Sequence, residues 1–291
     1  MAILATAVLF STGGAAIKAT HLTGAQVSGL RSVIAALAFL ALVPTARRVP
    51  SWREWLVGGS YAGALVFYAL ANKLTTAANT IFLQSTAPLY ILFLGPWLLR
   101  ERIERRDLVF LGAAAAGLSL FFLDVDAPQA TAPDPLLGNL LALASGVCWA
   151  LTLVGLRWLG SRGQNVSAVV AGNVVASVLC LPFVGSLAAV GAPDWIALLW
   201  LGVFQVAVAY VLLTRALRRI PAFEASILLL LEPLLNPIWA WILHGEVPGS
   251  WALAGGGILL GATIVHDRVV ERRARPLEPE GTTTPRAPDR S

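Results

Sequence analysis

The sequence predicts an all-α membrane protein: ten transmembrane helices in two inverted five-helix repeats around a central cavity. Three observations predict it. Of 291 residues, 57% are hydrophobic and only 13% charged, the mean hydropathy is +0.74, and the apolar runs are too long and too numerous for a water-soluble core. The chain also repeats itself. Pro88, Glu101 and Gly112 recur 145 residues later as Pro233, Glu246 and Gly257, and Lys73 with Arg218 fits the same offset. Upstream, an offset of 139 pairs Phe10 with Trp149, Lys18 with Arg157, Gly24 with Gly163 and Ser28 with Ser167. Finally, arginine gathers at alternate ends of the apolar runs, as it does in loops retained in the cytoplasm.

Taken in order, the spans are expected at 2–20, 24–43, 54–72, 77–99, 105–123, 136–157, 164–184, 194–215, 221–243 and 249–267, each long enough at 1.5 Å per residue to cross a hydrocarbon layer of about 30 Å. The first span lacks a basic leader and has a counterpart in the second half, so it is kept as a helix rather than read as a secretory signal. The first repeat is placed at 1–123, an outer linker at 124–135, the second repeat at 136–267 and a disordered tail at 268–291, where Pro276, Pro279, Pro285 and Pro288 stand among charges and threonines. With the N-terminus inside, 18 of the 21 basic residues fall in inner segments; Lys18 and Lys73 fall outside and Arg31 lies within a span. Both termini are therefore expected in the cytoplasm. An odd number of spans per repeat turns the second repeat upside down, and Lys18 and Lys73 at outer ends against Arg157 and Arg218 at inner ends agree with that inversion.

The formal net charge of +5 follows from this loop bias and argues for no nucleic-acid partner. Cys148 and Cys180 lie inside apolar spans, where free cysteine acts as a small hydrophobe; neither a disulfide nor a metal site is expected. No nucleophile elbow, Walker loop, HExxH or dinucleotide fingerprint occurs, and His21, His244 and His266 lie at or near span ends. The sequence thus calls for no enzyme and no cofactor. The glycine runs Gly58–Gly63 and Gly255–Gly261 each contain a GxxxG step, which favours close helix packing over phosphate binding.

Candidate binding residues are those an apolar helix carries at a cost. Arg31 lies about 10 Å below the outer surface and Glu232 about 16 Å from the inner one, close to the midplane. Glu224, Glu232 and Asn236 share one face of the ninth span, Thr80, Gln84 and Pro88 form a similar stripe on the fourth, and Gln205 sits near the middle of the eighth. Arg31 with Glu232 can form a buried ion pair holding two helices, or can receive the two ends of a zwitterion, since arginine takes a carboxylate through parallel hydrogen bonds and glutamate accepts from an ammonium. Asn79, Gln84, Gln205 and Asn236 are candidates for interhelical hydrogen bonds or for substrate contact. Trp149, Tyr68, Phe82, Tyr90 and Tyr210 can supply flat apolar walls. Trp52, Trp55, Trp97, Trp158, Trp195, Trp200 and Trp251 belong to interfacial belts. Pro88, Pro233 and Pro237 are expected to kink the fourth and ninth spans beside the substrate path.

The unit Pro88…Glu101…Gly112, repeated as Pro233…Glu246…Gly257, resembles the EamA unit of the drug/metabolite transporter superfamily, and Arg31 within Gly29-Leu30-Arg31-Ser32 looks like that family's first repeat. The resemblance spans residues 2–267. It implies a cavity built from the third, fourth, eighth and ninth helices with their neighbours, and transport, often efflux, of small metabolites; within the family the aromatic amino-acid exporters look nearest. Glu101 and Glu246 carry the family motif in hinges, and a structural role at the N-terminus of the following helix is expected for both. The leading expectation is a secondary transporter that exports hydrophobic or aromatic amino acids across the bacterial inner membrane by alternating access. Efflux of organic cations or drugs, anchored on Glu232 with cation–π contacts, is the alternative, and a membrane enzyme or lipid-handling scaffold the second alternative. The partners implied are a small-molecule substrate and the lipid bilayer, with a monomer compatible with the sequence.

Overall fold

A computed structural model describes residues 2–87, 89–91, 105–120, 130–159, 164–187, 190–216, 229 and 231–274. Among these every regular element is a helix, with no β-strand. The first half contains α1 (Ala2–Ser11), α2 (Gly13–Lys18), α3 (Gly24–Leu42), α4 (Trp52–Leu74), α5 (Ala77–Gln84) and α6 (Arg105–Leu120). The second half contains α7 (Pro135–Leu159), α8 (Gln164–Cys180), α9 (Ala192–Leu199), which continues through a π-helical segment, Trp200–Val208, into α10 (Ala209–Ala216), then α11 (Leu231–His244) and α12 (Ser250–Ala274).

Four of the described helical stretches are long and apolar enough to cross a bilayer: Gly24–Leu42, Pro135–Leu156, Asn165–Phe183 and Ala192–Leu213. The helix α4 is longer still, but glycines, tyrosines and Asn72 dilute its hydropathy. Its packing accommodates this, because α4 lies against both α7 and α8. At the α4–α8 crossing a Cβ on Gly172 would come within 2.7 Å of the Gly58 carbonyl oxygen and 2.6 Å of the Tyr61 ring, so the glycines set the helix separation. In the run Gly255–Gly261 the packing residue is Gly256, whose Cβ would sit 2.8 Å from Phe82; Gly257 and Gly261, the pair at GxxxG spacing, have nothing within 4 Å.

Local signals start the helices where the sequence supplies them. Thr23 and Gln26 form a capping box at α3, Thr76 accepts from the Asn79 amide at 3.1 Å at α5, and Asp134 accepts from the Leu137 amide at 3.1 Å at α7. Glu54 accepts from the Ser51 amide at 2.6 Å at the start of α4 and pairs with Arg48. The first span is broken at Thr12, and two indoles brace the break: Trp239 Nε1 donates to Ser11 Oγ and Trp200 Nε1 to Thr12 Oγ1, each at 2.9 Å.

Helix contacts between the halves come in matched sets. The helix α4 packs on α7 and α8, while the Ala192–Ala216 span packs on α1 and α3; α5 packs on α7, while α11 packs on α1 and α2; α3 packs on α8, and α6 on α12. One detail departs from expectation. The final helix runs to Ala274, so residues 268–274 of the tail segment are helical. Pro233 and Pro237 both stand in α11. Pro88, Glu101, Glu224 and the segments 124–129 and 275–291 lie outside the described residues.

Candidate functional site

A cavity of about 120 Å³ opens between the two halves, walled by residues from α1, α3, α4 and α5 on one side and α7, the π-helical segment, α10 and α11 on the other. Its polar corner is built on α3. Arg31 is 1% exposed; its Nη2 donates to the Leu65 carbonyl oxygen at 2.9 Å, while its buried Nε has no hydrogen-bond partner. Glu232, half-buried in the first turn of α11, lines the same cavity, and no ion pair joins the two. The geometry therefore departs from the helix-clamping pair that the sequence allows: cation and carboxylate share one cavity, and the guanidinium retains an unspent donor.

Seven candidates from the sequence line this space: Arg31, Tyr68, Gln84, Trp149, Gln205, Tyr210 and Glu232. Gln84 Nε2 donates to Ser145 Oγ at 2.7 Å, and that hydroxyl donates in turn to the Ala64 carbonyl oxygen at 2.9 Å, so the amide is fixed across the α5–α7–α4 junction. Gln205 Oε1 is buried without a partner. The aromatic wall is a connected set. Tyr210 meets Phe10, Tyr61 and Phe39 edge-on at centroid distances of 5.3, 5.8 and 6.4 Å, and Tyr61 meets Trp149 at 6.4 Å.

Five candidates lie elsewhere. Asn236 is behind the wall: its Nδ2 donates to the Tyr68 hydroxyl at 3.1 Å and so holds that ring. Thr80 Oγ1 donates back to the Thr76 carbonyl oxygen at 2.9 Å, an intrahelical bond open to any threonine. Asn79 contacts Thr75 and Asn139 at 3.4 and 3.3 Å, in the polar link between α5 and α7. Phe82 packs on Gly256, and Tyr90 reaches Gly146 of α7. The lining also includes Phe10, Tyr61, Ala64, Leu65, Ile81, Ser85 and Val206, which sequence reasoning did not assign to it. Phe10 carried a signal, its repeat pairing with Trp149; Tyr61 was hidden inside a glycine run that reads as packing.

Glu246 differs from expectation in which helix it serves. Its Oε2 accepts from the Ala77 amide at 3.1 Å, the N-terminus of α5 in the opposite half, and its Oε1 pairs with Lys18 Nζ at 3.2 Å. Lys18 also donates to the carbonyl oxygens of Thr75 and Thr131 at 2.9 and 2.6 Å. The carboxylate does cap a helix, across the halves and not along the chain.

Comparison with known proteins agrees with these observations. The sequence matches the model of the EamA-like transporter family over residues 1–123 and again over 136–266. It is 26% identical to the threonine/homoserine exporter RhtA of Escherichia coli K12 over 72% of this chain and 73% of that protein, and 32% identical to the Salmonella typhimurium LT2 protein of the same name over 62% of this chain and 63% of that one. An uncharacterized transporter of Archaeoglobus fulgidus is 26% identical over 69% of this chain and 75% of that protein. A solved crystal structure shares the fold at a TM-score of 0.62 and 19% identity, covering 94% of this chain and 98% of the other. The chain belongs to the EamA-like transporter family: it is a membrane transporter and not an enzyme.

Proposed function

We propose that the chain exports small neutral amino acids and related metabolites across the bacterial inner membrane, with both termini in the cytoplasm, by exposing one central cavity alternately to either side. The observation that carries this reading is Arg31. A guanidinium buried in a cavity wall, held by one carbonyl and left with a free donor, suits an incoming carboxylate, and Glu232 in the same cavity offers an acceptor for the ammonium. The relatives named as threonine/homoserine exporters support the class.

Size narrows it. A cavity of roughly 150 Å³ takes a benzene-sized molecule, so about 120 Å³ disfavours a tryptophan-sized ligand. Aromatic amino acids, favoured by the aromatic residues alone, become the weaker substrates within this reading. Alternating access is supported by the matched helix contacts between the halves, which we interpret as two inverted repeats related by a pseudo-twofold axis.

A second reading, efflux of organic cations, is favoured by one observation: among the described residues Glu232 has no ion-pair partner, and it stands in a cavity with Trp149, Tyr61 and Tyr210. Binding to the purified protein of L-threonine, L-tryptophan and a tetraalkylammonium ion, repeated in Arg31→Ala and Glu232→Gln, separates the two. Amino-acid binding lost in Arg31→Ala supports export of amino acids. Cation binding alone, lost in Glu232→Gln, replaces that reading with drug efflux.

A further inference from the structure

We propose that Gln205 selects for a hydroxyl group on the substrate side chain, so that the transporter favours hydroxylated over purely aliphatic small amino acids. The inference rests on the amino-acid reading above and adds a determinant within the same cavity.

Gln205 lies in the π-helical stretch Trp200–Val208 of the eighth span, and such i→i+5 segments recur where a helix presents functional groups. Two close approaches fix its surroundings. A Cβ on Gly202, three residues earlier, would come within 2.6 Å of Ile34 Cγ2 and 2.9 Å of the Arg31 carbonyl oxygen, so the π-helical segment and α3 touch at the Arg31 backbone. On the other side the amide leans on Gly13, the first residue after the break in the first span; a Cβ there would come within 3.0 Å of Gln205 Nε2. The side chain thus rests against the broken helix, three residues from the point where its own segment meets α3. Its Oε1 is buried and accepts no hydrogen bond.

Gln205 lines the cavity, and its enclosed, unpartnered acceptor is satisfied once the side chain turns that oxygen toward a donor on the ligand. The ammonium of a zwitterion has a stronger acceptor in Glu232, which leaves the neutral amide oxygen for a neutral hydroxyl. A site built to bond a hydroxyl discriminates against the analogue lacking it, because the acceptor is then desolvated and unpaired.

The test is the Kd of the full-length, detergent-purified chain for L-threonine and for L-valine, which replaces the hydroxyl by a methyl group of similar size. The wild type should bind threonine at least about tenfold more tightly. Gln205→Leu should bring the two within about threefold by weakening threonine, and Gly13→Ala, which displaces the amide without touching the ligand, should move the ratio the same way. Should Gln205→Leu not fold, Gly13→Ala carries the test. Equal binding of both amino acids by the wild type, still lost in Arg31→Ala, would overturn the role of Gln205 while leaving amino-acid export standing. So would a threonine preference unchanged in the variants. Binding of neither amino acid, with binding of a tetraalkylammonium ion, would overturn the amino-acid reading and this inference with it.

Discussion

Arg31 is the residue on which the account turns. Its guanidinium is buried, anchored at one nitrogen to the Leu65 carbonyl and free at Nε. A charge-assisted hydrogen bond contributes about 1.5–3 kcal/mol, so Arg31→Ala is expected to weaken amino-acid binding about 10–100-fold, measured by calorimetry. Arg31→Lys should recover little of it, since an ammonium cannot reproduce the two-point contact. Behind the wall, Tyr68→Phe strips the Asn236 amide of its acceptor. It should cost about 1–3 kcal/mol of stability in thermal unfolding, and a variant as stable as the wild type would mean that Asn236 does not depend on that hydroxyl.

At the scale of elements, two of the junctions between the halves give direct tests. The Lys18–Glu246 pair, with side chains only 4% and 3% exposed, ties α2 to the hinge before α12, and the same carboxylate caps α5. Glu246→Ala leaves a buried ammonium and an unpaired amide, and losing one partner of a buried pair costs about 3–5 kcal/mol. The carbonyls still held by Lys18 place the expected loss near the lower end, read as a fall in unfolding temperature; Glu246→Gln, which keeps an acceptor for the Ala77 amide, should recover part of it. At the α4–α8 crossing, Gly172→Ala drives a methyl into the Gly58 backbone and the Tyr61 ring. Overpacking of this kind costs about 1–3 kcal/mol, and thermal unfolding unchanged from the wild type would mean that the crossing can open without penalty.

Elements and site were legible to different depths. The long apolar spans were readable because hydrocarbon demands them, and Arg31, Gln84, Gln205 and Glu232 stood out because polar groups in such spans are costly and few. The costly residues that line no cavity, Asn79, Thr80 and Asn236, spend their polarity on Thr75 with Asn139, a backbone carbonyl and a tyrosine hydroxyl. Helical spacing cannot tell those partners from a ligand: Asn236 lies four residues from Glu232, yet only Glu232 lines the cavity. Tyr61 escaped notice because its neighbours are the glycines that set the α4–α8 contact. Glu246 was legible as a cap, but which helix it caps depends on how the halves dock, information that no local pattern holds.

For the whole molecule, the cavity lies between halves whose helices meet in matched sets, the arrangement that lets a site open to one side and then the other as the halves rock. If they do, a single cysteine at Ser85, in a background where Cys148 and Cys180 are replaced, should be labelled from one side without substrate and from the other side in a fraction of molecules during turnover. Labelling from one side under every condition would contradict alternating access. The most direct test of the central claim is transport itself: exchange of labelled L-threonine in liposomes holding the purified chain, beside Arg31→Ala. The account predicts exchange that saturates with threonine, competes poorly with tryptophan and disappears in Arg31→Ala. Absence of exchange by a folded wild-type protein, or exchange that survives Arg31→Ala undiminished, would contradict it.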